Sequence, residues 1–324
     1  MKFRSKNLLV TGGAGFIGSN FIDHILKKYK SLKVYNLDLL TYAGNLENTN
    51  SYKDNPNYFF IKGDISNTDL VESLYDEFKI DGVINFAAES HVDNSIVNPE
   101  VFIKTNINGV FNLLNISYKK WMSSNFNPKN KFKHSRFHQI STDEVYGSII
   151  EGSFSEKSQY RPNSPYSASK ASADMLVRSF NKTYGLNTTI SVSSNNYGKN
   201  QNKEKFIPTI INSLINGKSI PVYGDGLNVR DWINVKDHCE AVEKVFNNSL
   251  NGEIYNVGAN NEISNLELIE KIYFELKKNY TIEKKIKFVQ DRFGHDRRYS
   301  LSTKKIFNEL NWKAKYKMKI DELF

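Results

Sequence analysis

The octapeptide TGGAGFIG, Thr11 to Gly18, stands between an apolar run, NLLV, and a segment whose apolar residues recur every three or four positions, SNFIDHILKKYK. Few folds accept a strand, a glycine triplet and an amphipathic helix in that order. Gly12 can take the tight turn, Gly15 lets backbone amides approach a pyrophosphate, and Gly18 lets the helix pack closely, with its N-terminus facing negative charge. Asp38 ends the next apolar run, about twenty residues on, where an acid accepts hydrogen bonds from an adenosine ribose and repels a 2′-phosphate. The pattern predicts binding of NAD rather than NADP. Asp64, after the third run, is a candidate for the adenine amine, and Ala87 and Ala88, after the fourth, let a cofactor pass close to the backbone.

NLLVTGG, KVYNLDLL, YFFIKGD, GVINFAAES, FHQISTDE and TTISVSSNN read as strands. Helical periodicity fills the intervals, in TDLVESLYDEFK, VFIKTNINGVFNLLNISYKKWM and SASKASADMLVRSFNKTYG. Regular alternation predicts an α/β chain with a Rossmann-type doubly wound parallel sheet, because every parallel crossover needs a helix-length connection. After Asn196 the pattern loosens into shorter elements. A cofactor domain is therefore expected at 1–195, rejoined at about 228–260 through DWINVKDHCEAVEKVF, with a smaller mixed α/β substrate lobe from 196–227 and 261–324.

A hydrophobic content of 39% and a charged content of 24% exclude a largely disordered chain. No apolar run is long enough to cross a bilayer, and the basic start MKFRSKNLLV is interrupted at Gly12 before a signal-type core forms. One cysteine, Cys239, allows no intramolecular disulfide and has no metal-type neighbours. A cytoplasmic protein with no membrane anchor and no metal is expected. The net charge of +9 is scattered and lacks an aromatic-basic motif, which favours small anionic ligands over nucleic acid.

ISTDEVYG, Ile140 to Gly147, and SPYSASK, Ser164 to Lys170, carry the chemistry. Tyr166 and Lys170 fall on one helical face, where an ammonium and a cofactor's positive ring favour the phenolate. Such a phenolate takes the proton of a sugar hydroxyl as hydride leaves the same carbon, with Thr142 bonded to that hydroxyl and Lys170 on the nicotinamide ribose. Redox chemistry alone does not need Asp143 and Glu144. Once C4 of a sugar is a ketone, however, its C5 proton is acidic. Glu144 is the candidate base for that proton, and Asp143, protonated, the candidate acid for the departing C6 hydroxyl. The plainer alternative is that the two acids merely cap the following turn.

With TGGAGFIG, LTYAGNLE, AAESHVDNSI, STDEVYG, SPYSASKASAD, SNNYG, PVYGDG, RDW and GHDRRY, the chain resembles the extended short-chain dehydrogenases/reductases. Within them it is similar to the dTDP-glucose 4,6-dehydratase family, over nearly its whole length. The resemblance implies an NAD-dependent hydro-lyase that converts dTDP-glucose, UDP-glucose or both to the 4-keto-6-deoxy sugar. It also implies a homodimer joined through a four-helix interface, from helices around Val101 to Met122 and Ser167 to Tyr184. On the cofactor it adds Phe16, Ile17, Thr41, Ile65, Ser90 and Thr105. On the nucleotide sugar it implies Ser90, His91, Asn195, Asn196, Lys205, Pro221, Tyr223, Arg230, Asn265, His295 and Arg297, with the Arg230 guanidinium suited to a bidentate phosphate contact.

Leu39 and Asn94 stand where relatives carry basic residues, and the chain ends at KMKIDELF where the family continues through another helix. A 4-epimerase or decarboxylase of the same fold is the nearest alternative, although an epimerase needs only Thr142, Tyr166 and Lys170. A non-catalytic NAD sensor has no use for all five side chains.

Overall fold

The computed structural model describes residues 3–318, so the end of the KMKIDELF stretch, 319–324, lies outside the described residues. Seven strands form one sheet, and every pairing in it is parallel. They are β1 (Asn7–Thr11), β2 (Lys33–Asp38), β3 (Tyr58–Lys62), β4 (Gly82–Asn85), β5 (Arg136–Thr142), β6 (Thr188–Ser193) and β7 (Ile254–Val257). Their order is β3-β2-β1-β4-β5-β6-β7. The winding therefore reverses between β1 and β4, which opens a crevice at the carboxyl ends of the strands.

Helix α1 (Phe16–Lys28) covers one face of the sheet; α2 (Thr68–Phe78), α3 (Val110–Trp121) and α4 (Pro165–Tyr184) cover the other. Both cores are apolar: Phe21, Ile22 and Ile25 on one side, Leu113, Leu114 and Val177 on the other. Helix α4 starts with a reciprocal cap, in which Ser164 Oγ accepts from the Ser167 amide and Ser167 Oγ from the Ser164 amide, at 3.1 and 3.0 Å. It stops at Gly185, whose φ of +72° is left-handed.

After β6 the chain leaves the sheet, then returns through α5 (Val235–Asn248) and β7. DWINVKDHCEAVEKVF thus brings back its helix but not its strand. Val229–Asn234 pairs instead with Asn195–Tyr197 and Glu262–Ser264 in a separate three-stranded sheet. The lobe outside the main sheet has its own core, where the helices Phe206–Ile215 and Asn265–Lys277 bring Ile207, Ile211, Leu268 and Ile272 together.

The expected long helix from Val101 also differs. Pro99–Phe102 is α-helical, Ile103–Gly109 forms a π-helix, and α3 follows. The wider turns bring Asn106 to Glu89, where it bonds both the amide and the carbonyl, and to Ser169 Oγ at 2.8 Å. Gly109 is required where this segment crosses the sheet edge, since a Cβ there would lie 2.6 Å from Ile65 Cγ1.

Strand β5 is buried along its length although it reads RFHQIST. Its polar side chains are paired locally: His138 with Thr189 and Ser191, Gln139 with Asn85. Arg136 reaches the end of α5 and donates to the carbonyls of Val245, Phe246 and Ser249 and to Ser249 Oγ, so a buried cation meets the negative end of a helix. Replacing Arg136 by Leu strands those carbonyls. Urea denaturation should show a loss of about 3 kcal/mol, and a loss below about 0.5 kcal/mol would contradict the capping role.

Candidate active site

A cleft of about 970 Å³ opens at the carboxyl edge of the sheet. It is lined by the glycine turn, the end of β5, the start of α4 and the smaller lobe. Gly12 has φ +68°, and a Cβ on it would lie 2.6 Å from the Ala87 amide nitrogen, so the turn excludes a side chain twice over. No side chain caps α1 at Gly15. Asp38 Oδ2 accepts from the Ala14 amide at 2.9 Å and Oδ1 from Leu40 at 2.8 Å, which fixes the carboxylate at the rim while burial pushes its pKa up. Asp64 pairs with Lys104 at 3.4 Å. Phe16, Ile17 and Gly18 line the cleft beside Gly15, Thr41 and Ile65 lie toward Asp38 and Asp64, and Ala87, Ala88, Ser90 and Thr105 continue the wall. The bare glycine cradle, the anchored acid and the length of the cleft fit a dinucleotide.

At the cleft floor, Thr142 ends β5 and caps the next turn, its Oγ1 accepting from the Glu144 amide at 3.4 Å. The capping is therefore done by Thr142, which leaves both acids free for other work. Asp143 is 2% exposed. Oδ1 accepts from Thr142 Oγ1 at 3.3 Å, and Oδ2 has no partner among the described residues. Burial and then the neighbouring Glu144 charge push the Asp143 pKa well up. Burial also raises half-buried Glu144, but the cations Arg292 and Arg230 work against that rise. Both carboxyls are thus pushed up by burial, and the arginines oppose that rise most at Glu144.

Tyr166 and Lys170 lie on the first turns of α4, both buried. Burial and then Glu144 hold the Tyr166 phenol pKa well above the usual value, with nearby Thr142 working the other way. Lys170 does not turn to the phenol: Nζ donates to the Ile140 carbonyl at 2.6 Å. That bond ties α4 to the strand that carries Thr142.

The lobe completes the wall with Pro221, Tyr223, Arg230, Asn265 and His295, facing His91, Asn195 and Asn196. Half-buried Lys205 donates to the Ser90 carbonyl at 3.2 Å. Arg230 is held by the carbonyls of Val229 and Asp296 at 2.8 Å and lies 4.2 Å over the Tyr299 ring. Tyr223 donates to Asp93 at 3.2 Å, with the His295 ring against its edge. Asn196 Oδ1 meets His238 Nδ1 at 2.9 Å. Arg297 does not line the cleft. It pairs with Asp225 at the surface, at 2.7 Å, and Arg292, four residues after Phe288, is the arginine that faces inward. Both arginines stand in one loop, and only the fold decides which one points in. Glu89, inside AAESHVDNSI, lines the cleft too, as do Gln201 and His238, which no motif in the sequence marks.

The family described as GDP-mannose 4,6 dehydratase matches residues 9–323. The dTDP-glucose 4,6-dehydratase of Xanthomonas campestris pv. campestris (strain B100) is 46% identical, over 95% of this chain and 88% of its own. Among solved structures, the dTDP-glucose 4,6-dehydratase DesIV of Streptomyces venezuelae, with NAD bound, matches at TM-score 0.88 and 40% identity, covering 98% of this chain and 94% of that one. A UDP-glucose 4-epimerase of Thermotoga maritima shares the fold at TM-score 0.83, with 27% identity and coverage of 98% and 96%. A glycine cradle, a Thr-Asp-Glu strand end and a Tyr-x-x-x-Lys helix thus occur in a chain that belongs to the GDP-mannose 4,6-dehydratase family and, within it, to the dTDP-glucose 4,6-dehydratases.

Proposed function

We propose that the protein is an NAD-dependent 4,6-dehydratase of nucleotide-linked glucose, with dTDP-glucose as its substrate. The observation that carries this reading is the acid pair: buried Asp143 with a free oxygen, beside Glu144, at the end of the strand that also presents Thr142. NAD, held by the glycine turn and Asp38, would supply a hydride acceptor and donor for the sugar and a positive charge in the cleft. Tyr166, as the phenolate that Lys170 and the cofactor's positive charge would favour, would take the C4 hydroxyl proton, with Thr142 bonded to the same hydroxyl. The resulting ketone acidifies C5, and Glu144, whose ionised form Arg292 and Arg230 favour against burial, removes that proton and returns one to C5 after the hydride reaches C6. Asp143, kept neutral by burial, delivers a proton to the C6 oxygen, which leaves as water. Lys170 holds the helix to Ile140 and offers its remaining protons to the cofactor ribose. Arg292, Arg230 and Lys205 supply positive charge for the diphosphate, and Tyr223 offers a face to the pyrimidine.

We also propose a cytoplasmic homodimer. Val101, Ile103, Phe111 and Met175 leave apolar surface exposed on neighbouring helical segments, and the one cysteine is buried. No helix among the described residues is long and apolar enough to cross a membrane.

Asp143→Asn and Glu144→Gln should still form reduced cofactor with dTDP-glucose but lose dehydration by about 10²–10⁴-fold, read as the C6 methyl signal in proton NMR. Full product formation by both variants would remove these roles. Dehydration should weaken at acid pH as Glu144 gains its proton and at alkaline pH as Asp143 loses its own, giving a bell whose limbs move in the respective variants. A profile flat across both limbs contradicts the assignment. Phe111→Glu with Met175→Glu should halve the mass measured by light scattering, whereas an unchanged mass places the interface elsewhere.

A further inference from the structure

We infer that Asp174 is a positioning residue for this reaction, a buried carboxylate that pins β5 to α4 and supplies Lys170 with its counter-charge. The inference rests on the dehydratase reading above. Asp174 lies one turn beyond Lys170 on α4 and is 1% exposed. Its Oδ2 accepts from Ser141 Oγ at 2.5 Å and from the Tyr160 hydroxyl at 3.2 Å, and its Oδ1 has no hydrogen-bond partner among the described residues. Side chains alternate along a strand, so Ser141 points to the helix while Thr142 faces the cleft. One carboxylate therefore fastens the residue just before the acid pair to the helix that carries Tyr166 and Lys170.

A clamp alone needs only an acceptor, which an asparagine would also supply. The negative charge answers a second need. Lys170 is buried, its one hydrogen bond in the structure goes to a neutral carbonyl, and a buried ammonium without an opposite charge is costly. Burial pushes Lys170 down to about 8, with Asp174 opposing, and pushes Asp174 up to about 6, with Lys170 opposing. The other titratable groups that face Asp174 are Tyr160, from the loop before α4, and Tyr146, from the turn after β5. Both are neutral phenols held above their usual pKa by burial, so they cannot replace the charge. Ser141, on β5, donates a hydrogen bond and carries none.

Two measurements test the pair. In Asp174→Asn the hydrogen-bond acceptor remains and the charge is gone, so loss of the Lys170 proton should overtake that of Asp143 and bring the alkaline limb of kcat for dTDP-glucose down by about one pH unit or more. The acid limb, set by Glu144, should stay. Thermal melting of Asp174→Asn, Lys170→Met and the double variant forms a cycle that needs no turnover. The double variant should recover at least half of the summed losses in Tm, because each single change strands one buried charge. If Asp174→Asn alone fails to fold, the double variant should still be recovered soluble. Superimposable alkaline limbs in wild type and Asp174→Asn, additive melting losses, or a double variant as insoluble as the single one would each overturn the inference. Wild-type protein that leaves dTDP-glucose unchanged would instead sink the dehydratase reading, while the melting cycle would still decide whether the two residues are paired.

Discussion

The hydrogen bond from Lys170 Nζ to the Ile140 carbonyl joins the two elements on which the whole site depends. Strand β5 brings Thr142, Asp143 and Glu144 to the crevice, and α4 brings Tyr166. Neither element could place its residues alone. The strand is held by its neighbours β4 and β6 and by the Arg136 contact at its far end, and the helix is started at a defined residue by its serine cap. An all-parallel sheet puts every strand's carboxyl end on one edge, so the glycine cradle after β1 and the acids after β5 open into the same cleft.

Electrostatic asymmetry then divides the labour between two adjacent carboxyls. At Asp143 the Glu144 charge adds to the rise that burial imposes, whereas at Glu144 Arg292 and Arg230 oppose it. Arg292 and Arg230 come from segments that belong to the lobe core rather than the sheet. The lobe's arginines thereby oppose the rise that burial imposes on Glu144.

Six of the seven sheet strands were legible in the sequence because buried parallel strands are apolar runs bounded by glycine, and the helices between them keep a strict period. The seventh, Ile254–Val257, was missed because four residues after NGE look like any short turn-flanked run. The π-helix was illegible for a different reason: one wider turn leaves the apolar spacing of VFIKTNINGVFNLL nearly unchanged. Thr142, Asp143, Glu144, Tyr166 and Lys170 could be picked out as residues of one cleft because they sit on local motifs next to strand ends and helix starts. Arg297 was taken for a cleft residue and Arg292 overlooked, since a loop with three arginines, Arg292, Arg297 and Arg298, carries no period to say which one turns inward. Asp174 escaped notice because its role depends on Ser141 and Tyr160, which meet it only in the folded chain.

The central claim is that one closed redox cycle, begun by Tyr166 and completed through Asp143 and Glu144, moves the C4 hydrogen of the sugar to C6. Incubating the protein with dTDP-glucose deuterated at C4 and locating the label by NMR tests this most directly. The account predicts deuterium in the C6 methyl group of a product one water lighter than the substrate. Deuterium retained at C4 of a sugar with inverted configuration would contradict it and would make the protein an epimerase.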